Sequence, residues 1–156
     1  MYTNILVPLD GSEDSERALP HAQLLAKAFG ATLHLIQAVS RTEELDLVRS
    51  SGDSAGAAEY SMDLAERLIN ARLVRADRYL TEVKSRLTSL EIAVETEVME
   101  GSAAENIARY AEGKGADLVV MSTRGQGGIQ RLLLGSTTDR VLRAGHLPVL
   151  AIPPKD

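Results

Sequence analysis

Apolar positions along the chain recur at two spacings, strand-like runs and helix-like steps of three or four, and the two kinds alternate from one end to the other. Ile5-Leu6-Val7-Pro8-Leu9, closed by Asp10-Gly11, reads as a buried strand, with Pro8 at its end because it cannot donate a ladder hydrogen bond. Ser12 is a good N-cap, and Glu13, Asp14 and Glu16 suit the positive end of a helix. Ala18, Ala22, Leu25, Ala26 and Phe29 form its apolar face, and Gly30 is a natural stop. Pro20 interrupts that face and predicts a kink or a late start. Thr32 to Val39 reads as a second strand. Residues 40–58, rich in Ser, Gly, Asp and Glu, are long for a connection and are expected to form a flexible loop, a candidate lid over a ligand. From Glu59 the stepping is helical through Met62, Ala65, Ile69, Leu73, Ala76, Leu80, Val83 and Leu87. A coiled coil would step the same way, but the neighbouring strands favour a helix packed on a sheet.

Leu90, Ile92, Val94 and Val98 alternate with Glu91, Glu95 and Glu97, as in a half-exposed edge strand. Ser102 and Glu105 have capping-box spacing at the head of a short helix that should end near Gly113. Leu118-Val119-Val120-Met121 is apolar throughout, as a strand covered on both faces requires. A glycine-rich segment from Ser122 to Gly135 leads into a last helix from about Ser136 to Gly145, and Pro148 to Ile152 is the final strand. Alternating strands and helices predict an α/β fold, an open five-stranded parallel sheet with helices on both faces. The exposed third strand and the buried first and fourth favour the order 3-2-1-4-5.

The 156 residues suit one domain, taken as residues 1–156. Seventeen basic against 22 acidic residues leave a net charge of −5, which argues against a nucleic-acid partner. Cysteine is absent, which excludes disulfides and thiol catalysis and fits a cytoplasmic protein. No apolar run approaches the ~20 residues of a membrane span, so no membrane partner is expected. The N-terminus lacks the pattern of a secretory signal.

Ligands of open parallel sheets bind beyond the carboxyl ends of the strands, where chain direction switches. Here that crevice falls between strands one and four. It receives Pro8-Leu9-Asp10-Gly11 and the segment from Met121 through Ser122, Thr123, Arg124 and Gly125 to Gly135-Ser136-Thr137-Thr138. Glycines bring backbone N–H groups close to an anion, and a helix beginning at Ser136 adds unpaired N–H groups and the positive dipole end. Arg124 or Arg131 would add a cation. These parts make a phosphate cradle; a flexible loop with an ordinary Ser cap accounts for the same residues, and both readings stand on this pattern alone. Neither the Gly-x-x-x-x-Gly-Lys-Ser/Thr nor the Gly-x-Gly-x-x-Gly nucleotide loop is present.

Gly125, nine residues, then Gly135-Ser136 matches the second half of Gly-x2-Gly-x9-Gly-Ser/Thr, the ATP-binding signature of universal stress proteins. Ile5-Leu6-Val7-Pro8-Leu9-Asp10-Gly11-Ser12, Ala116 to Met121, Leu132 to Ser136 and His146 to Leu150 also resemble that family, in order along nearly the whole chain. The resemblance implies a Rossmann-like domain of the adenine-nucleotide alpha-hydrolase type. It implies a regulatory stress-response module holding ATP with Mg2+ or Mn2+ at the ends of strands one and four. Pro8, Leu9 and Asp10 would border the adenosine, with Asp10 near a metal-bound phosphate. Val39 would contact adenine, Met121 and Ser122 would line the floor, and Gly125, Gly135, Ser136, Thr137 and Thr138 would hold phosphates, with Arg124 beside them. One position departs: the signature's first Gly is Ser122.

His21, His34 and His146 form no grouping for metal or catalysis, so packing or surface roles are expected. Asp117, at the far end of strand four, reads as structural. No residues read as catalytic, so ATP hydrolysis is expected to be slow or absent, at most a weak ATPase. A nucleotide-free interaction module of the same fold and a slow ATP phosphohydrolase are the alternatives. The last strand is an edge, yet Val149, Leu150, Ala151 and Ile152 are apolar on both faces, which predicts a homodimer through this strand, as the resemblance also implies.

Overall fold

The two strands with the least polar surface lie side by side in the interior of the sheet. In a computed structural model that describes residues 1–42, 46, 55–123, 134–144 and 147–154, β1 (Asn4–Pro8) pairs with β4 (Leu118–Ser122) on one side and with β2 (Thr32–Val39) on the other. β3 (Val94–Glu100) and β5 (Val149–Ile152) form the edges, every pairing is parallel, and the order is 3-2-1-4-5, as expected. The helices are α1 (Glu13–Glu16), α2 (Ala18–Phe29), α3 (Ala55–Thr88), α4 (Ala103–Lys114) and α5 (Ser136–Ala144).

Alternation along the strands divides the core in two. Ile5, Val7, Leu33, Leu35, Leu118 and Val120 face one way, onto Ala18, Ala22 and Ala26 of α2 and Leu80, Val83 and Leu87 of α3. Leu6, Ile36, Val119 and Met121 face the other way, onto Ile107, Tyr110 and Ala111 of α4 and Val141 of α5. Asp117 stitches the amino ends of β1 and β4 together, accepting from Thr3 N at 2.7 Å and Thr3 Oγ1 at 2.9 Å, so its expected structural role holds. Burial pushes the Asp117 carboxyl up, but the hydrogen bonds from Thr3 and Asn4 outweigh it and hold the group below the ordinary carboxylate value.

The helix carrying the apolar face starts late, as Pro20 predicts: the chain breaks at Arg17 and α2 begins at Ala18, because the proline ring collides with the carbonyl four residues back, that of Glu16. Four local expectations need correction. α3 begins at Ala55, not Glu59, so residues 55–58 are helix rather than loop; Ala55, Ala57 and Ala58 carry it by propensity without an apolar period. Residues 43–45 and 47–54 of the expected loop, and with them its role as a lid, lie outside the described residues. Met62 is exposed and Ser61 buried, since the core-facing line at the head of α3 runs 61, 65, 69 in steps of four. β3 starts at Val94: Leu90 and Glu91 close the end of α3 by bonding to Leu87 and Thr88, with Glu91 at φ 61°, so Ile92 reaches the core from a turn. The capping box at Ser102 does not form; Asn106 Nδ2 donates to the Glu100 carbonyl at 3.0 Å instead.

α4 also runs past Gly113 to Lys114 and stops at Gly115, whose φ of 61° is left-handed. A Cβ at either glycine meets nothing within 4 Å, so only backbone conformation decides the effect of a side chain there. Gly113→Ala should therefore stabilise the protein by about 0.5–1 kcal/mol, whereas Gly115→Ala should cost about 1–2 kcal/mol. Urea unfolding midpoints of the two variants should move in opposite directions.

Candidate functional site

The chain leaves β1 towards α1, α2 and β2 on one side and leaves β4 towards α5 and β5 on the other, so the carboxyl ends of β1 and β4 border a switch point. On the β1 side, Leu9 is buried and donates from its amide to the Ile36 carbonyl at 2.8 Å. Asp10 follows in an Asx turn, in which Oδ1 accepts from Ser12 N at 2.9 Å and from Ser12 Oγ at 2.6 Å. Ser12 Oγ in turn accepts from Ser15 N at 3.1 Å and caps α1. Gly11, at φ 83°, makes the turn that brings these groups together. The Asp10 carboxylate is thus oriented from within its own loop. Val39 at the end of β2 is buried against Ile69 and Ala76 of α3, and its carbonyl accepts from Gly101 N at 2.9 Å.

On the β4 side, Met121 and Ser122 are both buried. Thr123 N donates to the Ile152 carbonyl at 2.9 Å, and the Thr123 carbonyl accepts from Gly135 N at 2.7 Å. The Gly135 carbonyl accepts from Asp139 N at 2.9 Å, the first hydrogen bond of α5. Thr138, 2% exposed, donates its hydroxyl to the Ser122 carbonyl at 3.1 Å. Two groups expected on phosphate, the Gly135 amide and the Thr138 hydroxyl, therefore tie the head of α5 to the end of β4. The amides at the first turn of an α-helix have no acceptor within the helix, which here concerns Ser136, Thr137 and Thr138. Ser136 is exposed and Thr137 half-buried. Asp139 puts a negative charge in the same turn, and Arg143 holds it by two contacts of 3.0 and 2.8 Å.

The structure thus brings Pro8, Leu9 and Asp10 to the same end of the sheet as Met121, Ser122, Gly135, Ser136, Thr137 and Thr138. Arg124, Gly125 and Arg131 lie outside the described residues, and so does the convergence of the Gly125 and Gly135 main chains. Thr123 is a residue to which the sequence assigns no role. It is buried, and its hydroxyl has no hydrogen-bond partner among the described residues. Its place between Ser122 and Arg124 was the available signal. Among the described residues no three His, Asp or Glu side chains group as metal ligands. A groove of about 670 Å³ opens elsewhere, between α4 and α5; Ala116 and Leu147 line it at the amino ends of β4 and β5, its floor of Ile107, Ala111 and Val119 is apolar, and Arg109 and Glu112 bring opposite charges to it.

The sequence profile of the Universal stress protein family matches residues 1–153. The chain belongs to the universal stress protein family. Universal stress protein MJ0531 of Methanocaldococcus jannaschii is 36% identical over 152 residues, covering 97% of this chain and 82% of that protein. MJ0577 of the same organism, whose structure was solved for the assignment of its biochemical function, superposes with a TM-score of 0.81 at 26% identity over 100% of this chain and 99% of that one. A universal stress protein solved in complex with cAMP gives a TM-score of 0.65 at 25% identity, covering 97% of each chain.

How firmly a universal stress protein of this kind seats α5 depends on Thr138. Thr138→Val keeps the shape but removes the hydrogen bond to the Ser122 carbonyl, and should cost about 0.5–1.5 kcal/mol in urea unfolding. Thr138→Ser should restore most of that loss.

Proposed function

We propose that this chain binds an adenine nucleotide, ATP carried with a divalent metal, at the carboxyl ends of β1 and β4 and acts as a cytoplasmic regulatory module. The observation that carries this reading is the head of α5, pinned to β4 through Thr138 and Gly135, whose first-turn amides have no acceptor within the helix. A second observation supports it: the Thr123 hydroxyl at the same place is buried and has no hydrogen-bond partner among the described residues. A relative's complex with cAMP supports a nucleotide as the ligand. In this reading Ser136 and Thr137 hold phosphate oxygens by amide and hydroxyl, with Gly125 and Arg124 opposite. Leu9, Val39 and Met121 border the base, and Pro8 and Asp10 border the ribose. Mg2+ or Mn2+ rides on the phosphates, as magnesium commonly does, with Asp10 the nearest carboxylate. The Asp10 carboxylate is engaged by Ser12 through Oδ1 and is read as a neighbour of the metal rather than as a base, so hydrolysis is read as slow or absent.

A nucleotide-free interaction module is favoured by one observation, the buried Ser122 where the signature has Gly. Denaturing the purified protein and identifying released nucleotide separates the readings. Retained ATP is expected, ADP or AMP would point to a slow phosphohydrolase, and an empty site together with no ATP affinity by calorimetry would favour the module. Gly135→Val should abolish ATP binding while leaving the circular dichroism unchanged; an unaltered affinity would remove the cradle from this reading.

We also propose a homodimer through β5. Its burial is that of an edge strand, with Leu150 exposed and Val149 and Ala151 half-buried, and such edges pair readily. Sedimentation equilibrium at micromolar concentration should give twice the chain mass, and Leu150→Arg should halve it. A wild-type mass of one chain would dispose of the dimer.

A further inference from the structure

A cluster of polar side chains lies at the opposite end of the sheet from the proposed nucleotide site. His34 of β2 is 3% exposed, on the face covered by α4. Its Nε2 lies 3.0 Å from Asn4 Oδ1 on β1. Asn4 Nδ2 lies 3.4 Å from Thr3 Oγ1, which gives its own proton to Asp117 Oδ2 at 2.9 Å, so the amide is assigned with its oxygen facing the ring. Nε2 therefore carries the proton and donates, and Nδ1 is left as an acceptor. The Tyr110 hydroxyl of α4 lies 3.2 Å from Nδ1 and supplies the donor. Burial pushes the Tyr110 hydroxyl up to about 12, so it stays protonated.

Glu95, the register partner of His34 on β3, places Oε2 3.5 Å from the same Nδ1. Lys114, one turn beyond Tyr110 on α4, holds that carboxylate at 3.2 Å and lies 5.9 Å from the centre of the Tyr110 ring. Two acceptors on the sheet, Nδ1 of His34 and Oε2 of Glu95, thus receive two donors from one face of α4. A proton on Nδ1 would join the two acceptors to each other. The imidazolium would donate to Glu95, the Tyr110 hydroxyl would lose its acceptor, and Lys114 would compete for its carboxylate.

We propose that His34, Glu95, Tyr110 and Lys114 form an acid-responsive latch, which holds the C-terminal half of α4 to β2 and β3 while His34 is neutral and releases it when the ring takes a proton from solvent. The groups facing the ring come from three elements: Asn4 from β1, Glu95 from β3, and Tyr110 and Lys114 from α4; farther out, Glu97 acts on Tyr110 and Lys84 of α3 on Glu95. Helices α2 and α3 cover the other face, where Leu33 and Leu35 point. Burial lowers the affinity of the ring for a proton, Glu95 works against that, and Lys114 adds to it. The sign follows from linkage. The unfolded chain binds this proton more readily than the folded one, so the latch's stabilisation is complete above about pH 6.5 and is lost as pH falls through the lower folded value.

Amide hydrogen exchange of the full chain, corrected for intrinsic rates, tests the latch. Exchange in residues 110–114 should rise severalfold between about pH 7.5 and about pH 5 in the wild type. It should stay flat in His34→Gln, which keeps a donor for Asn4 and an acceptor for Tyr110. Identical pH profiles in the two proteins would overturn the latch. Nitrogen-15 spectra of the ring should show the Nε2–H tautomer at neutral pH and titration below the ordinary histidine value; the other tautomer, or an ordinary titration, would also overturn it. Should His34→Gln fail to fold, Glu95→Gln decides. Without the carboxylate the ring binds its proton less readily, so release must move to lower pH, and release at an unchanged pH would refute the mechanism.

Discussion

The pairing of β1 with β4 is the constraint on which the molecule depends. Both strands are buried, so their main-chain groups must be satisfied within the sheet, and side chains from both faces must be covered. Helices α2 and α3 cover one face and α4 and α5 the other. Because the chain leaves β1 and β4 in opposite directions along the sheet, the carboxyl ends of these two strands form a switch point at the carboxyl rim. Short main-chain bonds then hold that rim in shape: Leu9 to Ile36, Gly101 to Val39, Thr123 to Ile152 and Gly135 to Thr123.

The two ends of the sheet differ in how their polar groups are spent. At the amino rim, Asp117 is consumed by Thr3 and Asn4, and His34 by Asn4 and Tyr110. These groups lock strands to one another and to α4. At the carboxyl rim, the head of α5 is held by Thr138, and the buried Thr123 hydroxyl has no hydrogen-bond partner among the described residues. A polar group that is fixed but unpaired costs folding free energy, and a ligand recovers it. In the proposed reading this asymmetry is what suits the carboxyl rim to a ligand and the amino rim to internal adjustment.

Ser122 shows how the fold absorbs a departure from the family signature. It alternates with Leu118 and Val120, which puts its side chain on the face of α2 and α3. It is buried there, while its carbonyl receives Thr138. The main chain at this position therefore keeps its tie to α5 with serine in place of glycine.

The sequence by itself determined the kind and order of the elements. Runs such as Leu118-Val119-Val120-Met121 and the stepping from Ala65 to Leu87 reflect burial periodicities that a parallel sheet and its helices require, and the edge character of β3 was written in Glu95 and Glu97. The residues delivered to the carboxyl rim were legible for the same reason, since strand direction alone assigns Asp10 and Ser136 to one end. Tertiary structure decided which hydrogen-bonding groups at that end are already spent. The Gly135 amide and the Thr138 hydroxyl turn inward because Thr123 and Ser122 offer carbonyls to them, a contact between segments whose separation along the chain carries no periodic signal. The same holds for His34, whose neighbours Asn4, Glu95 and Tyr110 come from three other elements. Periodicity tells each residue which face it occupies, but only the assembled sheet sets what stands opposite it, and that opposition governs whether a polar group binds a ligand, braces the fold or takes up a proton.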